Sequence, residues 1–395
     1  MIVAGSGGAA PRPPSRHDEG VASRAAALEI LARVEDDGAY ANLAASAVLD
    51  RAGLDDRDRA LATDLAYGTV RHRRALRHLV DRFLSDAPPP AAYRALELGA
   101  YQLFHRPDIP DYAAVSATVT VAPKRFRGLV NAVLRRVADA GESYPDEATR
   151  LSYPDWIVSR LCEDLGSEAA IPALEAMNQA ATAHSRADGY VQDPASQMVA
   201  EAFAQHLPAQ ASVIDLCAAP GGKATQLAAR DCTFVAAGDV SEKRTGLIRV
   251  NAERLGTTDL SAVVADAMAP CFRSGSAHGV LLDAPCSGLG VLRRRPDARW
   301  RITAEVPGRL AELQCRMMDA SVPLVARGGV LAYSVCTLTA AETTGVDAHV
   351  RANHPDLVPI DPPGDPWQPH GRGAILLPQR ESTDGMALFI YRKVG

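Results

Sequence analysis

Over residues 21–140 apolar positions return every three or four residues, the period of helices that each bury one face. Val21, Ala25, Leu28, Leu31 and Val34 define the first such face, and Asp37-Gly38 closes that helix. The same period predicts helices over 43–49, 61–70, 75–84, 91–104, 113–121 and 126–137. Gly53, the run Pro88-Pro89-Pro90, Pro107 with Pro110, and Pro123 fall between them, where helix-breaking residues belong. No alternating pattern interrupts the series, so residues 21–140 read as an all-α bundle.

Residues 141–189 form a connector with Pro145 and Pro154, helical patterns over 156–165 and 169–180, and a small, polar stretch over 179–189 expected to be a loop or linker. Tyr190-Val191-Gln192-Asp193 then leads into a helix reaching about His206. Beyond it short apolar runs alternate with helical ones, at 212–216, 233–238, 261–264, 279–282, 329–334 and 388–392. Such alternation predicts a doubly wound, mostly parallel sheet over 190–395, an α/β Rossmann-like domain. In that architecture ligands bind beyond the carboxyl ends of the strands.

Composition narrows the class. With 47% hydrophobic and 23% charged residues among 395, the chain has the balance of a globular protein with two or three domains. No stretch has the run of apolar residues that a membrane span needs. Residues 1–20, rich in Gly, Pro and Ser, read as a flexible tail and not as a signal peptide, so a cytoplasmic location and no membrane partner are expected. The seven cysteines form no C-x-x-C, which argues against a disulfide framework and a zinc site; no metal is expected. A net charge of −5 means that any polyanion partner must meet local positive charge. The candidates are Arg71-His72-Arg73-Arg74 with Arg77, Lys124-Arg125-Phe126-Arg127, Arg135-Arg136, and Arg293-Arg294-Arg295 with Arg299 and Arg301. Taken singly, each run reads more readily as a solvated helix face.

The strongest chemical signal is the apolar run Val213-Ile214-Asp215-Leu216 passing through Cys217-Ala218-Ala219-Pro220-Gly221-Gly222-Lys223 into a helix. A strand, a glycine turn and a helix start let backbone N–H groups approach a small molecule, so residues 217–223 are the candidate cofactor cradle. Asp239, Asp266 and Asp283 each follow a later apolar run. Asp239 is placed for a ribose diol, because a carboxylate accepts from two hydroxyls at once, and Asp266 for an adenine amino group. The turn lacks G-x-G-x-x-G, which weakens a nicotinamide reading. Cys286, in Asp283-Ala284-Pro285-Cys286-Ser287-Gly288, and Cys336, in Tyr333-Ser334-Val335-Cys336-Thr337, lie at strand ends on the cofactor side. The thiols of Cys162, Cys217, Cys232, Cys271 and Cys315 read as ordinary ones.

Residues 64–71, 96–103 and 129–135 resemble the NusB-like RNA-binding fold, with a departure at Ala114-Val115-Ser116-Ala117-Thr118-Val119, where relatives carry an Asn-Glu pair. From Tyr190 onward the chain resembles the RNA cytosine-5 methyltransferases, through D-L-C-A-A-P-G-G-K at 215–223, D-A-P-C-S-G-L-G at 283–290, R-R-R-P-D-A-R-W at 293–300 and Y-S-V-C-T at 333–337. The combination is similar to the bacterial 16S rRNA cytosine-5 methyltransferase B family. The resemblance implies S-adenosyl-L-methionine as cofactor, held by Cys217 to Lys223, Asp239, Asp266 and Asp283, and RNA, 16S rRNA foremost, as partner of a monomeric protein. Cys336 is then the nucleophile that adds to C6 of cytosine and Asp283 the partner of N3. Lys223 stabilises charge beside the base or lowers a thiol pKa, and Cys286 assists release. The same motifs are compatible with tRNA as substrate, and with an assembly factor that only binds the cofactor.

Two departures set further expectations. Val335, Thr337 and Ala340-Ala341-Glu342-Thr343 stand where relatives carry Thr, Ser and P-E-E-N, which predicts weaker polar support of the Cys336 loop. Relatives also carry a long segment, including a small α/β subdomain, between the connector and Tyr190, whereas here Met177-Asn178-Gln179-Ala180 passes almost directly to it; an altered grip on RNA is expected.

Overall fold

The structure, a computed structural model, describes residues 20–230 and 234–394. The expected tail lies outside these residues except for Gly20, and Cys232 lies outside them as well. The chain divides after Ser152 into two compact units.

The first unit is helical throughout its described part, as its period requires: α1 (Val21–Glu35), α2 (Ala41–Leu49), α3 (Asp56–Arg71), α4 (Arg73–Asp81), α5 (Pro90–His105), α6 (Asp111–Val121), α7 (Arg127–Ala140) and α8 (Glu147–Leu151). Asp55 caps α3 by accepting from the Asp58 N–H at 2.8 Å, and Pro90 opens α5, where its missing N–H leaves nothing unsatisfied. On α1 the buried face is Ala26, Ala27, Ile30, Leu31 and Val34 with Ser23, and Ala25 is exposed. Alanines on every side of α1 blur its period, so the expected face was rotated. Short α8 carries too few apolar positions to show in the sequence.

Glycines set how closely the helices of this bundle pack. A Cβ on Gly68 of α3 would stand 2.0 Å from the Tyr101 ring of α5, and one on Gly99 would stand 2.3 Å from Leu134 of α7. Two of the family-like segments thus meet at Gly68 and Tyr101. In the departing segment Thr118 is buried and accepts from Gln102 Nε2 at 2.9 Å, so a polar contact persists there without the Asn-Glu pair.

The second unit holds α9 (Asp155–Leu165), α10 (Ser167–Ala176), α11 (Pro194–Ala204), α12 (Gly222–Ala228), α13 (Glu242–Arg254), α14 (Val306–Ser321), α15 (Thr344–Asn353) and α16 (Pro378–Glu381). Its strands are β1 (Ser212–Asp215), β2 (Phe234–Asp239), β3 (Leu260–Val264), β4 (Ala277–Asp283), β5 (Val325–Val335), β6 (Leu357–Pro359), β7 (Gln368–His370), β8 (Gly373–Leu376) and β9 (Met386–Lys393). They form one sheet in the order β3-β2-β1-β4-β5-β9-β8-β7, with β6 also on β9. Strands β1 to β5 pair in parallel, whereas β6 to β9 pair antiparallel, so the sheet is mixed where a mostly parallel one was expected. Strands β6, β7 and β8, of three or four residues, are too short to carry a readable alternation.

Side chains alternate across this sheet. Val213, Leu281 and Ala332 join one buried cluster with Phe203 and Ile248, while Ile214, Leu282 and Tyr333 join a second with Met318 and Phe389. Because β1, β2 and β4 are parallel, their last residues, Asp215, Asp239 and Asp283, come to the same edge of the sheet, and Cys336 follows the end of β5 there.

Candidate active site

After β1 the chain turns through residues 216–221 into α12. Gly221 holds φ at +109°, a region that side chains rarely adopt, and a Cβ on Gly222 would stand 3.0 Å from Tyr190 and 3.1 Å from Gln192. Three side chains that the sequence reading missed brace the carbonyls of this turn. Arg244 Nη2 donates to Ala219 O at 3.1 Å, Asn251 Nδ2 to Pro220 O at 2.9 Å and Arg186 Nη1 to Gly222 O at 2.6 Å. Each reaches in from another element, and no local spacing announces that. Arg186 also ties down part of the stretch expected to be a loop or linker, which forms no helix or strand of its own. Ser185 bridges Val191, and the Arg186 guanidinium stacks 4.8 Å from the Tyr190 ring, pairs with Asp188 and donates to Gln192 Oε1 at 3.1 Å. Residues 185–191 are therefore a pinned hairpin and not a free tether.

The predicted carboxylates take distinct settings. Asp239, almost wholly buried, accepts from the Ser241 N–H at 3.0 Å and meets Arg244 at 3.1 Å, which leaves lone pairs on both oxygens. Asp266, two residues past β3, accepts from the Met268 N–H at 2.9 Å. Asp283 accepts from Lys223 Nζ at 2.7 Å through Oδ2 and from Ser334 Oγ at 2.5 Å through Oδ1. Lys223 is buried, not a surface helix start, and also donates to Ser196 Oγ at 3.0 Å. Burial opposes its charge, but the charge of Asp283 and the hydrogen bond to it win, and the ammonium is held above its ordinary range. Asp215, passed over in the sequence, is fully buried, and neither of its oxygens has a hydrogen-bond partner. Burial first, then the charge of Asp283, pushes its carboxyl up to about 7.

The two candidate thiols meet. Sγ of Cys286 stands 3.2 Å from Sγ of Cys336, and both cysteines are free and partly exposed. Hydrogen bonding from Cys286, with help from the Lys223 charge and against the effect of burial, lowers the Cys336 pKa; the same contact raises that of Cys286. The contact thus couples the two thiols and makes Cys336 the one that ionises more readily. Burial pushes the Cys217 thiol well up, in keeping with an unreactive role for its sulfur.

The Cys336 loop is held by a buried carboxylate. Glu342, fully buried, accepts from the Ser287 N–H at 2.8 Å, Ser287 Oγ at 2.6 Å, Thr339 Oγ1 at 2.9 Å, Gln314 Nε2 at 3.1 Å and Thr337 Oγ1 at 3.2 Å. One carboxylate thereby ties the Cys286 loop to the Cys336 loop. Gly290 adds a second tie: its N–H donates to Cys336 O at 3.0 Å, and a Cβ there would stand 2.2 Å from Gly385 O.

The basic runs separate into two kinds. Arg293 and Arg299 are buried, Arg293 on Ser382 O and Arg299 on Asn178 Oδ1 at 2.8 Å and over the Tyr153 ring, while Arg294 pairs with Asp384. Arg301 pairs with Asp297, so this run mainly holds the domain together. In the first unit Arg73 and Arg77 pair with Glu35 and Arg74 with Asp146. Lys124, Arg125, Arg135 and Arg136 are exposed and form no ion pair among the described residues.

The chain was compared with known proteins. Residues 21–139 match the NusB family and residues 204–391 match the 16S rRNA methyltransferase RsmB/F family. The ribosomal RNA small subunit methyltransferase B of Thermus thermophilus is 35% identical over 94% of this chain and 97% of its own length. The protein of the same name from Pseudomonas putida is 31% identical over 94% of this chain and 98% of its own. These alignments run over 411 and 436 positions, more than the 395 residues here, so the relatives carry residues without a counterpart in this chain. The crystal structure of PH0851 shares the fold, with a TM-score of 0.75 at 18% identity over 94% of this chain and 99% of that one. The chain belongs to the ribosomal RNA small subunit methyltransferase B family, and is an rRNA cytosine methyltransferase in which a NusB domain precedes an RsmB/F methyltransferase domain.

Proposed function

We propose that the protein methylates C5 of a cytosine in 16S rRNA through a covalent bond between Cys336 and C6. Membership of an S-adenosylmethionine-dependent family implies that cofactor. The residues present fit it. Gly221 supplies the positive φ of the turn and Gly222 keeps it open where a Cβ would crowd Tyr190 and Gln192, Asp239 has free lone pairs for a ribose diol, and the orphaned carboxyl of Asp215 suits a cation. Residues 217–223, Asp239, Asp266 and Asp283 would hold it. When bound, it supplies an electrophilic methyl carbon on a sulfonium.

Carbon 5 of cytosine is a poor nucleophile. Addition of the Cys336 thiolate at C6 breaks the C5–C6 π bond and pushes its electron pair toward C5, with charge shared by N3. As that charge builds, N3 takes up a proton from water; Asp283, fixed by Lys223 and Ser334, accepts from the resulting N3–H, and the Lys223 ammonium balances the carboxylate. Once C5 carries the methyl group its proton passes to a base, the C6–sulfur bond breaks, and Cys336 leaves as a thiolate that Cys286 receives by hydrogen bonding. A base stacked in a duplex offers its C6 to no thiol, so the target cytosine is single-stranded or swung out. Lys124, Arg125, Arg135 and Arg136 supply phosphate contacts that position the RNA without reading its sequence.

The observation that carries this reading is the Cys286–Cys336 pair beside the Lys223–Asp283 ion pair. Its test is incubation with methyl-labelled S-adenosylmethionine and separated 16S rRNA and tRNA. Label is expected on C5 of cytosine in 16S rRNA and none with Cys336→Ala. Label on tRNA alone replaces the substrate, undiminished transfer by Cys336→Ala removes the nucleophile, and cofactor binding without transfer leaves an assembly factor.

A further inference from the structure

Outside this site, three metal-ligating side chains converge on the packed pair α14 and α15. Nε2 of His349 and Nε2 of His354 each stand 2.7 Å from the same oxygen, Oδ1 of Asp319. The three donor atoms all lie within 4.8 Å of one another. The imidazole planes are inclined by 61° with centroids 6.3 Å apart, so the rings aim their nitrogens at a common point and do not stack. Asp319 pairs with no lysine or arginine among the described residues, so no fixed cation competes there. The side chains are 44%, 27% and 17% exposed for Asp319, His349 and His354, which leaves an approach from solvent.

We propose that Asp319, His349 and His354 bind a divalent late first-row transition ion of the zinc class, with water completing its shell. Two imidazoles and one carboxylate are a donor set for such ions, whereas calcium and magnesium prefer oxygen throughout. The lack of C-x-x-C argues against a thiolate zinc site and is silent on this one, whose carboxylate lies 30 residues before the nearer histidine. An ion here clips α14, which carries Gln314, to α15, which begins just after Glu342. It therefore braces the helices beside the nucleophile loop and takes no part in the methyl transfer.

The test uses the full chain, freed of metal by chelator and titrated with cobalt(II) as a spectroscopic probe and with zinc(II) by calorimetry. One saturable site is expected, with d–d absorption, no sulfur-to-cobalt band, and a melting temperature raised by zinc. His349→Gln and His354→Gln, made separately so that either folded variant suffices, should each weaken binding about tenfold or more. Wild-type affinity in a folded histidine variant overturns the proposal. So does a sulfur-to-cobalt band, which moves the ion to cysteine, and so does the absence of saturable uptake, which leaves a purely hydrogen-bonded cluster.

Discussion

Cys286 and Cys336, 50 residues apart in the chain, bring their sulfurs to 3.2 Å, within hydrogen-bonding reach. Donation from Cys286 is the largest influence lowering the Cys336 pKa. The thiolate fraction of Cys336 rises with pH through its pKa, so a lowered pKa sets the acid limb of adduct formation at lower pH. Cys286→Ala removes the donor, and the limb should move to higher pH. In the proposed mechanism Cys286 also receives the departing sulfur, so in the same variant the covalent RNA adduct should persist. Single-turnover adduct formation across pH, followed on denaturing gels, reads both effects. An unshifted limb with no denaturant-stable adduct would show that Cys286 neither tunes nor releases Cys336.

Glu342 holds the two cysteine loops together, and Glu342→Gln keeps its shape while turning one acceptor oxygen into a donor. Five donors from Ser287, Thr337, Thr339 and Gln314 then face a group that can no longer accept from all of them. The expected loss is about 1–3 kcal/mol of stability, since buried donors are left unmade. With the sulfurs no longer held in register, kcat should fall by more than KM rises. Thermal unfolding and steady-state kinetics check the two parts separately. A stable variant with wild-type kcat would sink the positioning role.

How much of this could be read from the residues in order depends on how local each feature is. The strand, turn and helix around Gly221 and the carboxylates at the ends of β2 and β4 are encoded within a few residues, and period alone placed most of the helices. The groups that brace the site come from elsewhere. Arg186, Arg244 and Asn251 meet the turn only after folding, and the departure from P-E-E-N hid the fact that Glu342 gathers donors from three segments. The basic run at 293–301 was hard to read for the same reason: Ser382, Asn178 and Tyr153, far along the chain, hold Arg293 and Arg299 inside, and Asp384 pairs with Arg294.

Asp215 offers a test of the cofactor cradle that needs no RNA. Burial, then Asp283, raises its folded pKa to about 7, well above the ~3.9 of an unfolded aspartate. Between those values the folded chain keeps a proton that the unfolded chain has lost. The stability from this group is therefore fully present below about pH 4 and is lost as pH rises toward neutrality, by at most ~1.4 kcal/mol per unit. Asp215→Asn cannot ionise, so the difference in melting temperature, variant minus wild type, should climb between about pH 4 and 7 and then level off. The slope is the readout, because a buried unpartnered amide shifts the difference by a constant at every pH. Saturating S-adenosylmethionine, whose cationic groups favour the ionised carboxylate, should flatten the wild-type slope and leave the variant's unchanged. A slope indifferent to both the substitution and the cofactor would place neither a titrating Asp215 nor the cation beside the turn.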